Sequence, residues 1–501
     1  AVAGVVNIIT KKEFDGVQLG VRYGQTFQGD GEDTAVDLTW GLTGERGSLM
    51  AAINYVEGEA VNMADRQPCG LGEVGGELVC VGSSATIGGR ARLADGRVVN
   101  FNQDPNGDGD FYELYAAKHN FNSFPYLNAV NPIKRLSFSS FGDLKLSEDM
   151  SMFTELMYTN RRSNQLATPG SLGQYRPMNI AANHPTNPTG QNLVLQRRRL
   201  MEAGPREFYQ ETDTFRAVVG LEGRFGTGWE WNAAINYGRN TGIDGSTNVA
   251  NLDRVDQTLN TALCSYTPGA AIPCADYLGF GDVTPEVLDY IMFTTRDTGG
   301  NEQKSFTANL TGQIFEMPAG WVGFATGVEV RQERGWRDPD QLTQMGIANS
   351  NTQQRIDGEY LAKEAYVELA VPLLQEKPWA EALELNTALR YSNYDLFGSD
   401  TNYKIGLDWQ VTPSFKIRAN HSTAFRVPNV PELYGGVSEG NLTTSDPCSN
   451  WSSRPSSDVV YQNCQASGVP VGYTQLGNTI LTTTGGNIEL MPEDATTLTL
   501  G

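Results

Sequence analysis

The chain is built on a unit that recurs with variation: an alternating strand, a tight turn, a second alternating strand, then a long polar stretch. In "TAVDLTWGLTGERGSLMAAINYVEG", Val36, Leu38, Trp40 and Leu42 fall on one side and Asp37, Thr39 and Gly41 on the other. After the turn, Leu49, Ala51, Ile53 and Tyr55 resume the apolar side. Period-two alternation marks a strand lying between two different environments. The unit returns in "RLSFSSFGDLKLSEDMSMFTELMYTNRRS", less cleanly on its second strand, and clearly in "TFRAVVGLEGRFGTGWEWNAAINYGRN". There Phe215, Ala217, Val219, Leu221 and Phe225 oppose Arg216, Glu222 and Arg224. Later copies include "SFTANLTGQIFEMPAGWVGFATGVEVRQE", "KEAYVELAVPLL" with "ALELNTALRYSNY", and "NYKIGLDWQVTPSFKIRANHSTAF". From residue 17 the pattern predicts thirteen strands and the start of a fourteenth at "TTLTLG".

The connections decide the architecture. Those after strands two, four, six, eight and twelve are tight, and the one after strand ten, around Trp379, is expected to be somewhat longer. Those after strands three, five, seven, nine and thirteen run to roughly 25 to 75 residues, far beyond ordinary hairpin loops. They are predicted near 57–132, 163–212, 241–302, 332–357 and 426–494. In an up-and-down sheet odd and even connections lie at opposite ends, so one end carries nearly all the irregular mass. Short periplasmic turns with long extracellular loops are the mark of an outer-membrane barrel.

Trp40, Trp229, Trp231, Trp321, Trp379 and Trp409 lie in or near the short turns, and Tyr23, Tyr55, Tyr158, Tyr237 and Tyr394 toward the other ends. That placement predicts two interfacial aromatic girdles, although aromatics are also enriched in strands generally. Alternation alone fits a soluble sandwich as well. The strand number and one-sided loops favour the barrel. No stretch approaches the roughly eighteen apolar residues of a membrane helix. A mean hydropathy of −0.36 does not argue against a barrel, whose alternation dilutes its own apolar content.

Six cysteines form three sequence-close pairs, Cys69 with Cys80, Cys264 with Cys274, and Cys448 with Cys464, all in the long loops. None has zinc or thioredoxin spacing, so disulfides formed in an oxidising compartment are expected. The net charge of −21 argues against a nucleic-acid partner. "GLGEVG" (70–75) and the "GVSEG" around Ser438 lack the strand–turn–helix context that dinucleotide binding or a nucleophile elbow requires. His119, His184 and His421 are scattered, and the chain is expected not to be an enzyme. In "DPNGDGDFYE", Asp104, Asn106, Asp108 and Asp110 alternate as calcium ligands do, but position twelve is Tyr115 rather than a glutamate. A solvated acidic turn is therefore preferred to a structural calcium site, and no other cofactor is expected. Lys134, Arg135, Arg161, Arg162 and Arg197–Arg199 suit an anionic substrate or lipopolysaccharide phosphates, or equally loop charge balance.

The first residues, "AVAGVVNIIT", are densely apolar, with Lys11 and Lys12 after the run rather than before it as in a signal peptide. They read as a strand buried on both faces, which needs neighbours that nothing ahead of it supplies. This run followed by "KK" is similar to the end of the plug domain in TonB-dependent outer-membrane receptors. "RYSNYDLFGSDTNYKIGLDWQVTPSFKIRANHSTAFRVPNVPELY" resembles their mid-barrel signature, most specifically from Ala424 to Tyr434, and "GGNIELMPEDATTLTLG" resembles their Gly-Asn turn and Pro-Glu pair before the next strand.

The resemblance implies residues 1–12 as the last plug strand and 13–501 as an all-β, antiparallel up-and-down transmembrane barrel, with about 14 of 22 strands present and both ends truncated. It implies active uptake across the Gram-negative outer membrane of a scarce nutrient of siderophore-iron, vitamin or oligosaccharide class. The partners implied are outer-membrane lipid and lipopolysaccharide, and the TonB-ExbB-ExbD complex acting through a segment absent from the chain. The substrate-binding residues are not legible. The rival readings are a passive porin and a surface-binding or enzymatic barrel.

Overall fold

Fourteen antiparallel strands hydrogen-bond in sequence order into one sheet. They are β1 (Gly16–Gly24), β2 (Asp33–Gly44), β3 (Gly47–Gly58), β4 (Ile133–Lys145), β5 (Met150–Ala167), β6 (Arg206–Phe225) and β7 (Trp229–Ser246). β8 (Asp297–Met317), β9 (Gly320–Asp338), β10 (Ile356–Lys377), β11 (Ala380–Tyr394), β12 (Gly398–Thr412), β13 (Phe415–Arg426) and β14 (Glu493–Leu500) complete it. The computed structural model describes residues 14–74, 76–101, 111–279, 283–475 and 479–501. The expected plug strand at 1–12 lies outside them.

The turns at one end are two to four residues long. At the β2–β3 turn Gly47 has φ of +148°, and a Cβ there would sit 2.0 Å from the Asp143 carbonyl oxygen, so both conformation and space demand glycine. The connection after β10 departs from expectation. It is as tight as the others, because β10 runs on to Lys377, which pairs with Ala380. The register shifts between Pro372 and Leu374, and this bulge lets the ladder pass a residue that has no N–H to give.

At the other end the strands outrun the sequence-based limits: β5 reaches Ala167, β6 begins at Arg206, β7 runs to Ser246 and β8 begins at Asp297, which pairs with Asp244. β10 has 22 residues, about twice what a tilted strand needs to cross a bilayer, so the wall projects beyond the apolar zone.

The two faces differ as the alternation requires. One presents large apolar side chains to the surroundings, including Leu38, Val219, Ile235, Phe306, Val328, Leu389 and Ile405, between 39% and 64% exposed. Aromatics mark its margins. Phe225 stacks on Trp229 at 6.1 Å, Phe324 meets Trp229 edge-on at 5.9 Å, and Trp409 Nε1 donates to the Trp379 carbonyl at 2.8 Å. Toward the other margin Phe138, Tyr158 and Phe215 are direct partners across three strands, and the Tyr237 ring on β7 lies diagonally from Phe215 at 6.2 Å. Tyr394 does not join this girdle. It lies on the polar face, 7% exposed, where its hydroxyl donates to Glu364, and Tyr391 takes the outward place instead. In a strand, position parity decides the face, and 394 shares parity with Arg390.

The long connections are not irregular. Those at 59–132, 168–205 and 247–296 fold together into a cap with its own core. Its sheet orders Ser171–Leu172, Leu193–Arg199, Arg90–Leu93, Val98–Phe101 and Tyr112–Leu114, with Met178–Ile180 also pairing Leu193–Leu195. Against it pack helices α1 (Leu252–Leu259), capped by the Asn251 side chain, and α2 (Pro285–Ile291), capped by Thr284 with proline in the first turn. Ala91, Leu195, Val255, Val287, Ile291 and Tyr277 are fully buried in the shared core, and Tyr277 Oη lies 2.8 Å from Thr258 Oγ1. The charge-bearing composition of these loops hid the short apolar alternations that fold them.

Candidate functional site

The polar face of the wall is a connected hydrogen-bonding surface. Starting on β5, Glu155 accepts from Arg216 at 2.7 Å, and Arg216 Nε donates to Asn236 Oδ1 at 3.0 Å. Asn236 donates to Gln303 at 3.1 Å, and Gln303 to Glu333 at 2.7 Å. Arg331 stands between Glu329 and Glu333 at 3.6 Å from each, and Arg390 reaches Glu329 at 3.3 Å. Arg390 also bonds Glu364, which accepts from Tyr394 at 3.0 Å. The band thus runs without a break from β5 to β11.

Most members are partly exposed, so each pair contributes little stability, about 0–1 kcal/mol. Glu364 differs, with its side chain only 7% exposed. Leaving that carboxylate unpaired would cost roughly 3–5 kcal/mol. Strand parity, which puts Asp37, Arg216, Glu222 and Arg224 on the polar side, applies equally to Glu329, Glu333, Glu364 and Arg390.

The two signature motifs, far apart in sequence, meet in one latch. Helix α3 (Val430–Tyr434) has a capping box, with Glu432 N–H donating to Asn429 Oδ1 at 2.9 Å and Asn429 N–H to Glu432 Oε2 at 2.8 Å. Arg426 at the end of β13 clamps Glu432 at 3.0 and 3.1 Å and Glu493, the first residue of β14, at 3.0 Å. The guanidinium holds the Glu432 carboxyl below its ordinary range, with the backbone N–H of Asn429 adding to the effect. The Gly-Asn turn closes the other side, Gly486 N–H donating to Gly435 at 2.6 Å and Asn487 N–H to Glu432 at 2.8 Å.

Tyr434 and Val430 lie against Gly358 of β10 and Gly335 of β9, where a Cβ on Gly358 would stand 2.1 Å from the Tyr434 ring. Both glycines share the polar face, so the chain after β13 turns inward over that face rather than away from it.

The basic residues flagged in the sequence are largely spoken for. Lys134 pairs with Glu57 at 2.6 Å, Arg162 with Glu211 at 2.7 Å, and Arg161 donates to Gln210 at 2.8 Å. In the "RRR" run, Arg198 is completely buried and forks onto Glu202 at 2.9 and 2.5 Å, so it serves packing and not an external anion. Arg199 is 6% exposed and bonds Thr168, Pro169 and Ser83.

At the cap margin Arg66 grips Asp30 and draws its carboxyl down to about 2, with Thr26 assisting. Arg97 does the same to Asp95. All three expected disulfides are formed. Cys69–Cys80 closes the Gly70–Val74 and Glu77–Val81 hairpin, Cys264–Cys274 a ten-residue loop, and Cys448–Cys464 fastens the helix Val459–Ala466. The chance "GLGEVG" match thus falls on a hairpin, and Ser438 begins a strand, Ser438–Thr443, rather than an elbow. The acidic run Asp104, Asn106, Asp108 and Asp110 lies outside the described residues.

Against known proteins, the family model described as "TonB dependent receptor-like, beta-barrel" matches residues 156–501. No curated protein matches the chain. Among solved structures, a mutant ferric enterobactin receptor PfeA from Pseudomonas aeruginosa aligns with a TM-score of 0.51 at 13% identity, covering 100% of this chain and 52% of that one. The same receptor in complex with BCV-L6 aligns at 0.51 and 13%, covering 99% and 53%. The siderophore receptor PirA from Acinetobacter baumannii aligns at 0.48 and 12%, covering 99% and 51%. The chain therefore spans about half the length of these receptors. An antiparallel wall with one apolar and one polar face, tight turns at one end and folded loops at the other accords with the family match, and the chain belongs to the TonB-dependent receptor β-barrel family of the Gram-negative outer membrane.

Proposed function

We propose that this chain is part of an active transporter that captures a scarce nutrient at the cell surface and passes it inward when TonB supplies energy from the inner membrane. The observation that carries this reading is the inward fold of the chain after β13. The latch seats α3 over a polar, charge-lined wall, and a cap built from three connections stands at the same end. A wide passive pore needs an unobstructed mouth. A capture device needs a built surface there. On this reading the long connections face outside the cell, the short turns face the periplasm, and the work is binding and gated movement rather than covalent chemistry.

The full-length receptors that share the fold include one described as a ferric enterobactin receptor, which supports small-molecule capture as the general task. Iron–siderophore, vitamin and oligosaccharide cargo remain the classes to test. The deciding experiment compares uptake by a strain lacking the full-length gene with its parent, under iron limitation and on a panel of glycans, each with and without TonB. Loss of one cargo in both the gene deletion and the TonB deletion is expected. Uptake that persists without TonB, with steady ion conductance of the purified protein in planar bilayers, would establish the porin reading instead.

A further inference from the structure

We propose that the cap carries an oxyanion-binding site centred on Arg90 and Arg197, for a ligand bearing carboxylate or phosphate groups. This deepens the transport reading by naming the chemistry of what is captured. In the cap sheet Arg197 stands directly opposite Arg90, across a register shift between Leu195 and Arg197. Directly opposed residues on antiparallel strands share a face with their Cβ atoms about 5 Å apart, and like charges so placed repel. Ala91, Leu93, Leu193 and Leu195 face the apolar core; alternation puts Arg90 on the other side, and the bulge after Leu195, which seats Arg197 opposite Arg90, carries Arg197 to that side as well.

Arg90 is only 9% exposed, and its Nε is buried without a partner. Its guanidinium carbon lies 5.0 Å from the centre of the Tyr115 ring, an aromatic face that attracts a cation without neutralising it. Among the described residues neither Arg90 nor Arg197 makes an ion pair. The neighbouring cations add to the excess. Arg199 bonds only neutral oxygens, of Thr168, Pro169 and Ser83, and its guanidinium carbon lies 5.2 Å from the Phe121 ring centre. Arg206 donates to the Thr168 carbonyl at 3.0 Å. Burial, and then the charge of Arg90, lower the proton affinity of Arg197; burial, then Arg206 and Arg197, bring Arg199 down to about 10.

Two other cap arginines are matched with acids. Arg198 forks onto Glu202, and Arg176 reaches Asp253 at 2.7 Å and Asp256 at 3.0 Å. The contrast is local. In a chain of net charge −21, one face of one small sheet gathers guanidinium groups that nothing described neutralises. Buried charge is ordinarily held only when paired. Two adjacent guanidinium forks are complementary to the paired oxygens of carboxylate or phosphate.

The test uses the purified full-length receptor in detergent, titrated calorimetrically with citrate and, separately, tripolyphosphate. Saturable binding of at least one probe is expected, and which one binds distinguishes a carboxylate ligand from a phosphate ligand. The R90Q/R197Q variant should bind about tenfold or more weakly, while R90K/R197K keeps part of the affinity. Without probe, the double glutamine variant should unfold no earlier than the parent, since it removes repulsion; a purely structural pair would lower the midpoint. No saturable binding by the parent, or equal binding by the glutamine variant, overturns the proposal. So does binding seen only after Asp104→Asn, Asp108→Asn and Asp110→Asn together, because the chain's own carboxylates would then be the occupants. The titration needs no energy source, so its failure would leave TonB-dependent uptake to stand or fall separately.

Discussion

Replacing Ala233 by lysine tests which side of the wall meets lipid. Ala233 lies on β7 midway between Trp229 and Tyr237, four residues from each, and its ladder partners are Leu221 and Ala308. At about 3.4 Å per residue and a tilt near 40°, it sits about 10 Å from either aromatic margin, close to the bilayer midplane. The parent side chain is a single methyl group, so the substitution removes almost no packing. What it adds is an ammonium group among hydrocarbon. A lysine at that depth costs about 2–4 kcal/mol, a fall of roughly 30- to 900-fold in the folding equilibrium.

The control is Thr307→Lys, one ladder step away on β8 but on the opposite face, paired with Glu329 across the strand. There the new charge meets water and a carboxylate, and a change within about 1 kcal/mol is expected. Both variants of the full-length receptor would be refolded from urea into phospholipid vesicles, with the folded fraction read from heat-dependent gel mobility. If Ala233→Lys folds like the parent and Thr307→Lys fails, the faces have been assigned the wrong way round, and the membrane reading falls with them.

Other parts of the molecule make separate predictions. Leu195 is fully buried in the cap core, so Leu195→Ala should cost about 2–5 kcal/mol locally; hydrogen exchange should quicken in the cap strands and α1 but not in β8–β11. Arg426→Ala removes both clamps of the latch, and limited proteolysis within 427–492 should accelerate while the wall stays intact; an unchanged cleavage rate would show that the glycine contacts hold α3 unaided. The Asp30–Arg66 pair has a definite pH dependence, because the folded-state pKa of about 2 lies below the ordinary 3.8. Its contribution is complete above the ordinary value and disappears as pH falls from there through about 2, so the Arg66 side-chain NMR signal should lose its Asp30 contact only in that window.

What the sequence determined was whatever depends on neighbours along the chain. Period-two alternation set the faces of Leu38, Val219 and Arg216, tight-turn residues set the strand count, and one-sided connection lengths set the architecture. The cysteine pairs were legible for the same reason, each closing a short loop. Where a local signal misled, as at Tyr394 and the β10–β11 turn, one bulge or one residue of parity reversed the result.

Tertiary structure alone decided what joins residues far apart. The cap core draws Val99, Leu195 and Val255 from three connections, and each stretch by itself is too short to bury a hydrophobic face without the others. Arg426 finds Glu493 across an intervening loop, and Arg90 finds Arg197 across more than a hundred residues. Burial and uncompensated charge are properties of such encounters. No window of sequence contains them, because the energy of a charge depends on what surrounds it in space.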